Sequence, residues 1–172
     1  MIQFITFDDE LKLDSYLAIE ERLNNFLNLS EINSDMELKI ILNFSTPGGY
    51  VYIGNYFAAL LNDCLKYFTI EIRTGAQVMS SGISVLKKFK GKVTIDPGTI
   101  GMIHKESALL ESKYLSNISS CEIVNKRNMD KQNISFLREI KHLLTDEQIN
   151  DYNKGETVFI DYKMIKKIID LK

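Results

Sequence analysis

Leu38-Lys39-Ile40-Ile41-Leu42-Asn43-Phe44-Ser45-Thr46-Pro47-Gly48-Gly49 is an apolar run closed by a Pro-Gly-Gly turn. A compact apolar run stopped by such a turn reads as a buried strand. A segment rich in alanine and leucine, Tyr50 to Leu65, opens directly after it and reads as a helix. Phe68-Thr69-Ile70-Glu71-Ile72-Arg73 is again rich in strand-forming residues. Strand, helix and strand in that order imply a crossover connection between parallel strands, with the helix covering a sheet face.

The alternation extends in both directions. Upstream, Ile2, Phe4 and Thr6 face one way in a short strand. Leu13, Leu17, Ile19, Leu23, Phe26 and Leu27 then recur at helical spacing. Downstream, Ser81 to Phe89 reads as a helix, and Lys92 to Ile95 and Ile100 to Ile103 as strands. From about Leu109 to Leu144 the strands stop. Ile118, Ile123, Met129, Ile134, Leu137, Ile140 and Leu144 are spaced as on one long helix, which would project from the core or pack on a partner. Thr145-Asp146-Glu147-Gln148 is a helix start, Thr157-Val158-Phe159-Ile160 a short strand, and Tyr162 opens a last helix. The expected fold class is α/β, one domain over residues 1–172.

At 172 residues and 45% hydrophobic content the chain has enough apolar material for one substantial core. A net charge of -2 argues against nucleic acid as a partner. No run of eighteen apolar residues suggests a membrane span, and Met1-Ile2-Gln3-Phe4 lacks a signal-peptide pattern, so a cytoplasmic location is expected. Cys64 and Cys121 lie far apart in helix-like segments and read as reduced thiols. No His, Cys or carboxylate cluster has ligand spacing, so neither a metal nor a cofactor is expected.

The chemistry concentrates in Gly75-Ala76-Gln77-Val78-Met79-Ser80-Ser81-Gly82. Ser80 falls where a strand gives way, after a short loop, to a helix. There its hydroxyl is exposed at the strand's carboxyl end, and the Ser81 amide lies near the positive helix terminus. The plainer reading makes Ser80 or Ser81 a helix N-cap. Pro47-Gly48-Gly49 reads either as a tight turn or as a loop whose missing Cβ atoms let a carbonyl oxygen approach its amides. His104 ends the run Pro97-Gly98-Thr99-Ile100-Gly101-Met102-Ile103-His104, whereas His142, the other histidine, lies in the long helical segment. With an acidic residue near the C-terminus, these parts are those of acyl transfer by serine.

In these segments the chain resembles the ClpP family, the proteolytic subunits of the Clp protease within the crotonase-like superfamily. Ser45-Thr46-Pro47-Gly48-Gly49 is similar to the family's Asn-Ser-Pro-Gly-Gly loop, Gly75 to Gly82 to its nucleophile segment, and Pro97 to His104 to the segment ending in Met-Ile-His. The resemblance implies a spiral of β-α units with a protruding helical handle at about 105–144. It implies Ser80 as nucleophile, His104 as base, and the Gly49 and Ser81 amides as the oxyanion hole. Glu156 falls where the family has the aspartate of its triad, with Asp151 and Asp161 as alternatives.

The implied activity is a serine endopeptidase that cleaves unfolded polypeptide inside a chamber of heptameric rings, two of them stacked through the handle. An AAA+ unfoldase would be the partner. Three further departures belong to this chain. Gly155 stands where many members have an arginine that pairs across rings. Lys105-Glu106-Ser107-Ala108-Leu109 replaces the family's Gln-Pro and glycine-rich strand. The chain also starts almost at its first strand, without most of the segment that forms axial loops. A catalytically impaired ClpP-like structural or regulatory subunit is the alternative reading. A crotonase-like acyl-CoA enzyme is a third, disfavoured because such enzymes do not need Ser80 together with His104.

Overall fold

The computed structural model describes residues 1–32, 37–106 and 120–171, with the side chains of 30–32 and 120–126 outside that description. In chain order the elements are β1 (Ile2–Asp8), α1 (Leu13–Ile32), β2 (Lys39–Thr46), α2 (Val51–Cys64), β3 (Thr69–Met79) and α3 (Ser81–Lys88). Then come β4 (Lys92–Thr94), β5 (Ile100–Ile103), α4 (Ser120–Ile140), a 3-10 turn (Lys141–Leu143), α5 (Asp146–Lys154), β6 (Val158–Ile160) and α6 (Tyr162–Asp170). They fall into two compact units, Met1–Ile103 with Phe159–Lys172, and His104–Val158.

The first unit is built on a sheet of order β1-β2-β3-β5-β6, with β4 also pairing β3. The pairs β1·β2, β2·β3, β3·β4 and β3·β5 are all parallel, as the crossover argument requires. Side chains alternate across it. One face carries Ile5, Phe7, Ile40, Leu42, Phe44, Ile70 and Ile72, all buried. Phe57 of α2 enters this face, its ring centroid 5.0 Å from Phe7 and 5.7 Å from Phe44. Burying each such side chain is worth about 1.5–3 kcal/mol, so this layer anchors the unit.

The expected strand over Phe68–Arg73 proves longer. β3 continues to Met79, and no loop separates it from α3. Gly75, Ala76 and Gln77 have weak strand propensity, but pairing overrides it. β3 leaves β4 after Arg73 and takes β5 as its neighbour, Gln77 to Met79 against Ile100 to Met102. On its other side the register with β2 shifts between Phe44/Thr74 and Thr46/Val78, so β3 holds two extra residues there. The turn into β5 is pinned at that point. The buried Thr74 and Thr99 hydroxyls are 2.6 Å apart, and Thr99 Oγ1 also donates to the Gly75 carbonyl at 2.8 Å.

In the second unit α4 ends at Ile140 and the chain passes into the 3-10 turn, so the expected helix to Leu144 is broken in its last turn. Ile140 is buried, whereas Ile134 is 53% exposed. Asn133 is buried and grips Glu106: its Oδ1 accepts from the Glu106 amide at 2.8 Å, and its Nδ2 donates to the Glu106 carbonyl at 3.1 Å. α5 starts where the sequence signals it, with Thr145 and Gln148 forming a reciprocal capping box. Ser107, Ala108, Leu109 and Ile118, and the side chains of Cys121 and Ile123, lie outside the described residues. Cys64 is a buried free thiol, pushed up to about 11 by burial and by Asp63.

Candidate active site

The loop after β2 is held from both sides. Thr46, fully buried, accepts from the Gly48 amide at 3.1 Å through its hydroxyl. On the far side, the Leu11 amide donates to the Gly48 carbonyl at 2.7 Å, and the Tyr50 amide donates to the Leu11 carbonyl at 2.9 Å. Gly48 and Gly49 adopt φ of 100° and 139°, left-handed values that glycine tolerates. Space demands glycine as well. A Cβ on Gly49 would lie 2.5 Å from the Leu11 carbonyl oxygen, and one on Gly48 would lie 2.8 Å from Ser80 Cβ. Of the two readings of Pro47-Gly48-Gly49, the structure contains the tight turn, and that turn is pressed against Ser80.

Ser80 is the joint between β3 and α3. Its backbone has φ 51° and ψ -121°, and it is the one non-glycine residue with positive φ among the described residues. That is the conformation of the first central residue of a type II′ turn, where glycine is the rule. A side chain held there costs on the order of 1–3 kcal/mol, and such strain gathers at functional sites. The joint is fixed by its neighbours: the Ser80 amide donates to the Met102 carbonyl at 2.7 Å, and the Ser80 carbonyl accepts from the Ile83 amide at 3.0 Å. Ser80 occupies the N-cap position of α3, yet its side chain makes no capping hydrogen bond. The plainer reading of this serine, as a cap, is not what the structure contains. Ser81, the first helical residue, is buried and donates through its hydroxyl to the Gly49 carbonyl at 3.1 Å.

Two backbone amides stand apart in this arrangement. The pairing with Leu11 uses the Gly48 carbonyl and the Tyr50 amide, and it passes over the amide of Gly49. The Ser81 amide opens α3, where no preceding turn supplies an acceptor. An anion near Ser80 would also meet the positive end of the α3 dipole.

The remaining candidates lie in the second unit. His104 is half-buried, and its Nδ1 is 2.7 Å from the Lys105 carbonyl oxygen. A carbonyl only accepts, so in the neutral ring Nδ1 carries the proton and Nε2 presents its lone pair. Lys105 is itself anchored, its Nζ donating to the Asn153 carbonyl at 2.6 Å. Glu156 follows Gly155, the left-handed C-cap of α5 with φ 85°, and its side chain is exposed. Of the alternative acids, Asp151 uses its main-chain carbonyl to accept from the Gly155 and Glu156 amides. Asp161, in the first unit, is the N-cap of α6 and accepts from the Met164 amide at 2.8 Å.

Reading the sequence missed two groups. The Leu11 main chain, which holds the glycine loop, leaves no mark in residue type because backbone does the work. The Lys105 carbonyl is equally silent. Among the described residues no three His, Cys, Asp or Glu side chains gather as a metal set would, and no helix is long and apolar enough to cross a membrane.

No protein-family model and no curated protein matches this sequence. Among solved structures, a mutant of ClpP1 from Listeria monocytogenes is similar over 96% of this chain and 86% of that one, with a TM-score of 0.59 and 20% identity. The fold is ClpP-like. At that identity the likeness carries the architecture alone.

Proposed function

We propose that this protein is a serine endopeptidase of the ClpP type, cleaving unfolded polypeptide inside an oligomeric chamber. The observation that carries the reading is the strained backbone of Ser80, pressed against the Gly48-Gly49 loop and not used as a cap. Ser80 Oγ attacks the scissile carbonyl carbon while His104 Nε2 takes the hydroxyl proton. The tetrahedral oxyanion accepts from the Gly49 and Ser81 amides. His104 then gives the proton to the leaving amine, and water, activated by the same nitrogen, hydrolyses the acyl-enzyme.

In this proposal the Lys105 carbonyl fixes the imidazole tautomer, the part usually given to a triad acid. Glu156, the acid implied by resemblance, acts from the exposed turn after α5 and has a supporting part only. The chamber is proposed to be two stacked heptameric rings in the cytoplasm, fed by an AAA+ unfoldase. The ClpP-like fold supports ring assembly in general terms.

A second reading, a catalytically impaired ClpP-like structural or regulatory subunit, is favoured by one observation: Nδ1 of His104 faces a carbonyl and Glu156 lies exposed. Degradation of unfolded, fluorescently labelled casein separates the two. Wild-type protein that releases peptides, with the release lost in Ser80→Ala, supports the peptidase. A wild type no faster than Ser80→Ala supports the subunit.

A further inference from the structure

We infer that Asn133 is a positioning residue of the proposed reaction, acting on His104 through the peptide group that joins Lys105 to Glu106. This role rests on the reading of His104 as the general base. Among the described side chains of α4 only Asn133 and Ile140 are buried, two turns apart on one face. Asparagine is an indifferent helix former, and a buried amide costs free energy unless its groups are matched. Here one residue matches both. The Glu106 amide donates to Asn133 Oδ1 at 2.8 Å, and Asn133 Nδ2 donates to the Glu106 carbonyl at 3.1 Å. Turning the side-chain amide over would set donor against donor and acceptor against acceptor, so its orientation is fixed.

The Glu106 amide and the Lys105 carbonyl belong to the same peptide group. That group is planar and trans, so its N–H and C=O point in opposite directions. Holding the N–H on Asn133 therefore aims the carbonyl away from α4, and it meets His104 Nδ1 at 2.7 Å. The imidazole N–H, the peptide group and the Asn133 oxygen stand in series, and hydrogen bonds in series polarise one another. Drawing the amide proton toward Oδ1 raises the negative charge on the carbonyl oxygen. That is the charge the imidazolium needs once His104 has taken the serine proton. Lys105 is held at a further point, its Nζ donating to the Asn153 carbonyl at 2.6 Å, so the peptide group has little freedom to rotate.

A clamp on any other peptide after His104 would secure α4 equally well. This one falls on the peptide whose oxygen orients the imidazole. The series is neutral from end to end. Hydrogen bonds to an ionised partner are roughly twice as strong as neutral ones. A peptide group backed by a carboxamide therefore fixes the tautomer firmly and stabilises the imidazolium less than a carboxylate does.

Nitrogen NMR of the imidazole rings, recorded at alkaline pH where histidine is neutral, reads the tautomer directly. The chain has two histidines, and His142, exposed in the 3-10 turn, is the internal reference. Wild-type His104 should carry its proton on Nδ1. Asn133→Leu keeps the shape and removes both hydrogen bonds, so the His104 signals should move toward a mixture of tautomers while those of His142 stay unchanged. In the same variant kcat for peptide hydrolysis should fall about 10- to 100-fold, with KM within about twofold of wild type. A folded Asn133→Leu whose His104 signals match wild type would overturn the assignment, as would a wild type with the proton on Nε2. Should circular dichroism show that leucine unfolds the chain, Asn133→Ala repeats the test with the same outcomes. The spectrum needs no turnover. A protein that hydrolyses nothing, yet shifts its tautomer in the variant, supports the hold of Asn133 on His104 and counts against the peptidase alone.

Discussion

The Ser81 hydroxyl donates to the Gly49 carbonyl across 3.1 Å, so the two residues whose amides are proposed to hold the oxyanion are tied to each other. Through this bond the start of α3 and the end of the β2 loop move as one piece. The two serines should therefore respond differently to truncation. Ser80→Ala should abolish peptide hydrolysis and leave assembly intact. Ser81→Ala keeps its amide and loses the bond, so hydrolysis should fall about tenfold and stability by about 1 kcal/mol. Equal loss of activity in the two would put the nucleophile elsewhere.

Ser80 also carries strain that glycine would relieve. Ser80→Gly should be inactive yet more stable than Ser80→Ala by about 1 kcal/mol, or roughly 2–4 °C in Tm for a chain of this size. Thermal melts of the two inactive variants side by side measure it. No difference between them would mean that φ 51° is not strained in the folded protein.

Gly49→Ala places a Cβ 2.5 Å from the Leu11 carbonyl oxygen, main chain that cannot swing away. The loop must shift, at a cost of about 1–3 kcal/mol. Hydrolysis should fall more than stability alone explains, because the Gly49 amide leaves its position. Denaturant melts and peptide kinetics on the same sample separate the two effects.

Glu156→Gln should reduce kcat/KM by less than about tenfold, since the Lys105 carbonyl already orders the imidazole, whereas a triad acid that bears the full burden is worth about ten-thousandfold. A loss of the larger size would show that Nδ1 exchanges the carbonyl for the carboxylate during turnover.

Glu71 predicts how stability depends on acid. The ammonium of Lys39 first, then Arg73, Thr94 and Lys92, hold its carboxyl down from the ordinary value near 4.5 to about 2, against the opposing effect of burial. A depressed carboxylate stabilises the fold above its unfolded pKa and loses that contribution as pH falls through the folded one, here between about 4.5 and 2. The full shift would correspond to about 3 kcal/mol. Because its cations stand partly in water, on the order of 1–2 kcal/mol is expected. Urea melts from pH 5 to pH 2 should show Glu71→Gln losing less stability than wild type across that window.

Much of this architecture is legible in residue order. The run from Leu38 to Gly49 and the helix after it locate β2 and α2 because a buried parallel strand and an amphipathic helix leave different periods. Thr145 with Gln148 marks α5 because the cap is made by side chains. What is hidden depends on backbone and on distant partners. Gly75-Ala76-Gln77 reads as a loop, and becomes strand only because β5 lies beside it. Gly49, Ser80, Ser81 and His104 are legible as candidates from their residue types, but the φ of Ser80 and the acceptor of His104 Nδ1 are not written in any side chain.

The central claim, that Ser80 is an activated nucleophile, is tested most directly by a fluorophosphonate probe followed by mass mapping of the labelled peptide. The account predicts a single adduct on Ser80, formed by wild-type protein and by Ser81→Ala, and lost in Ser80→Ala and His104→Ala. A folded wild type that takes no label, or one labelled at another residue with Ser80 unmodified, would contradict it.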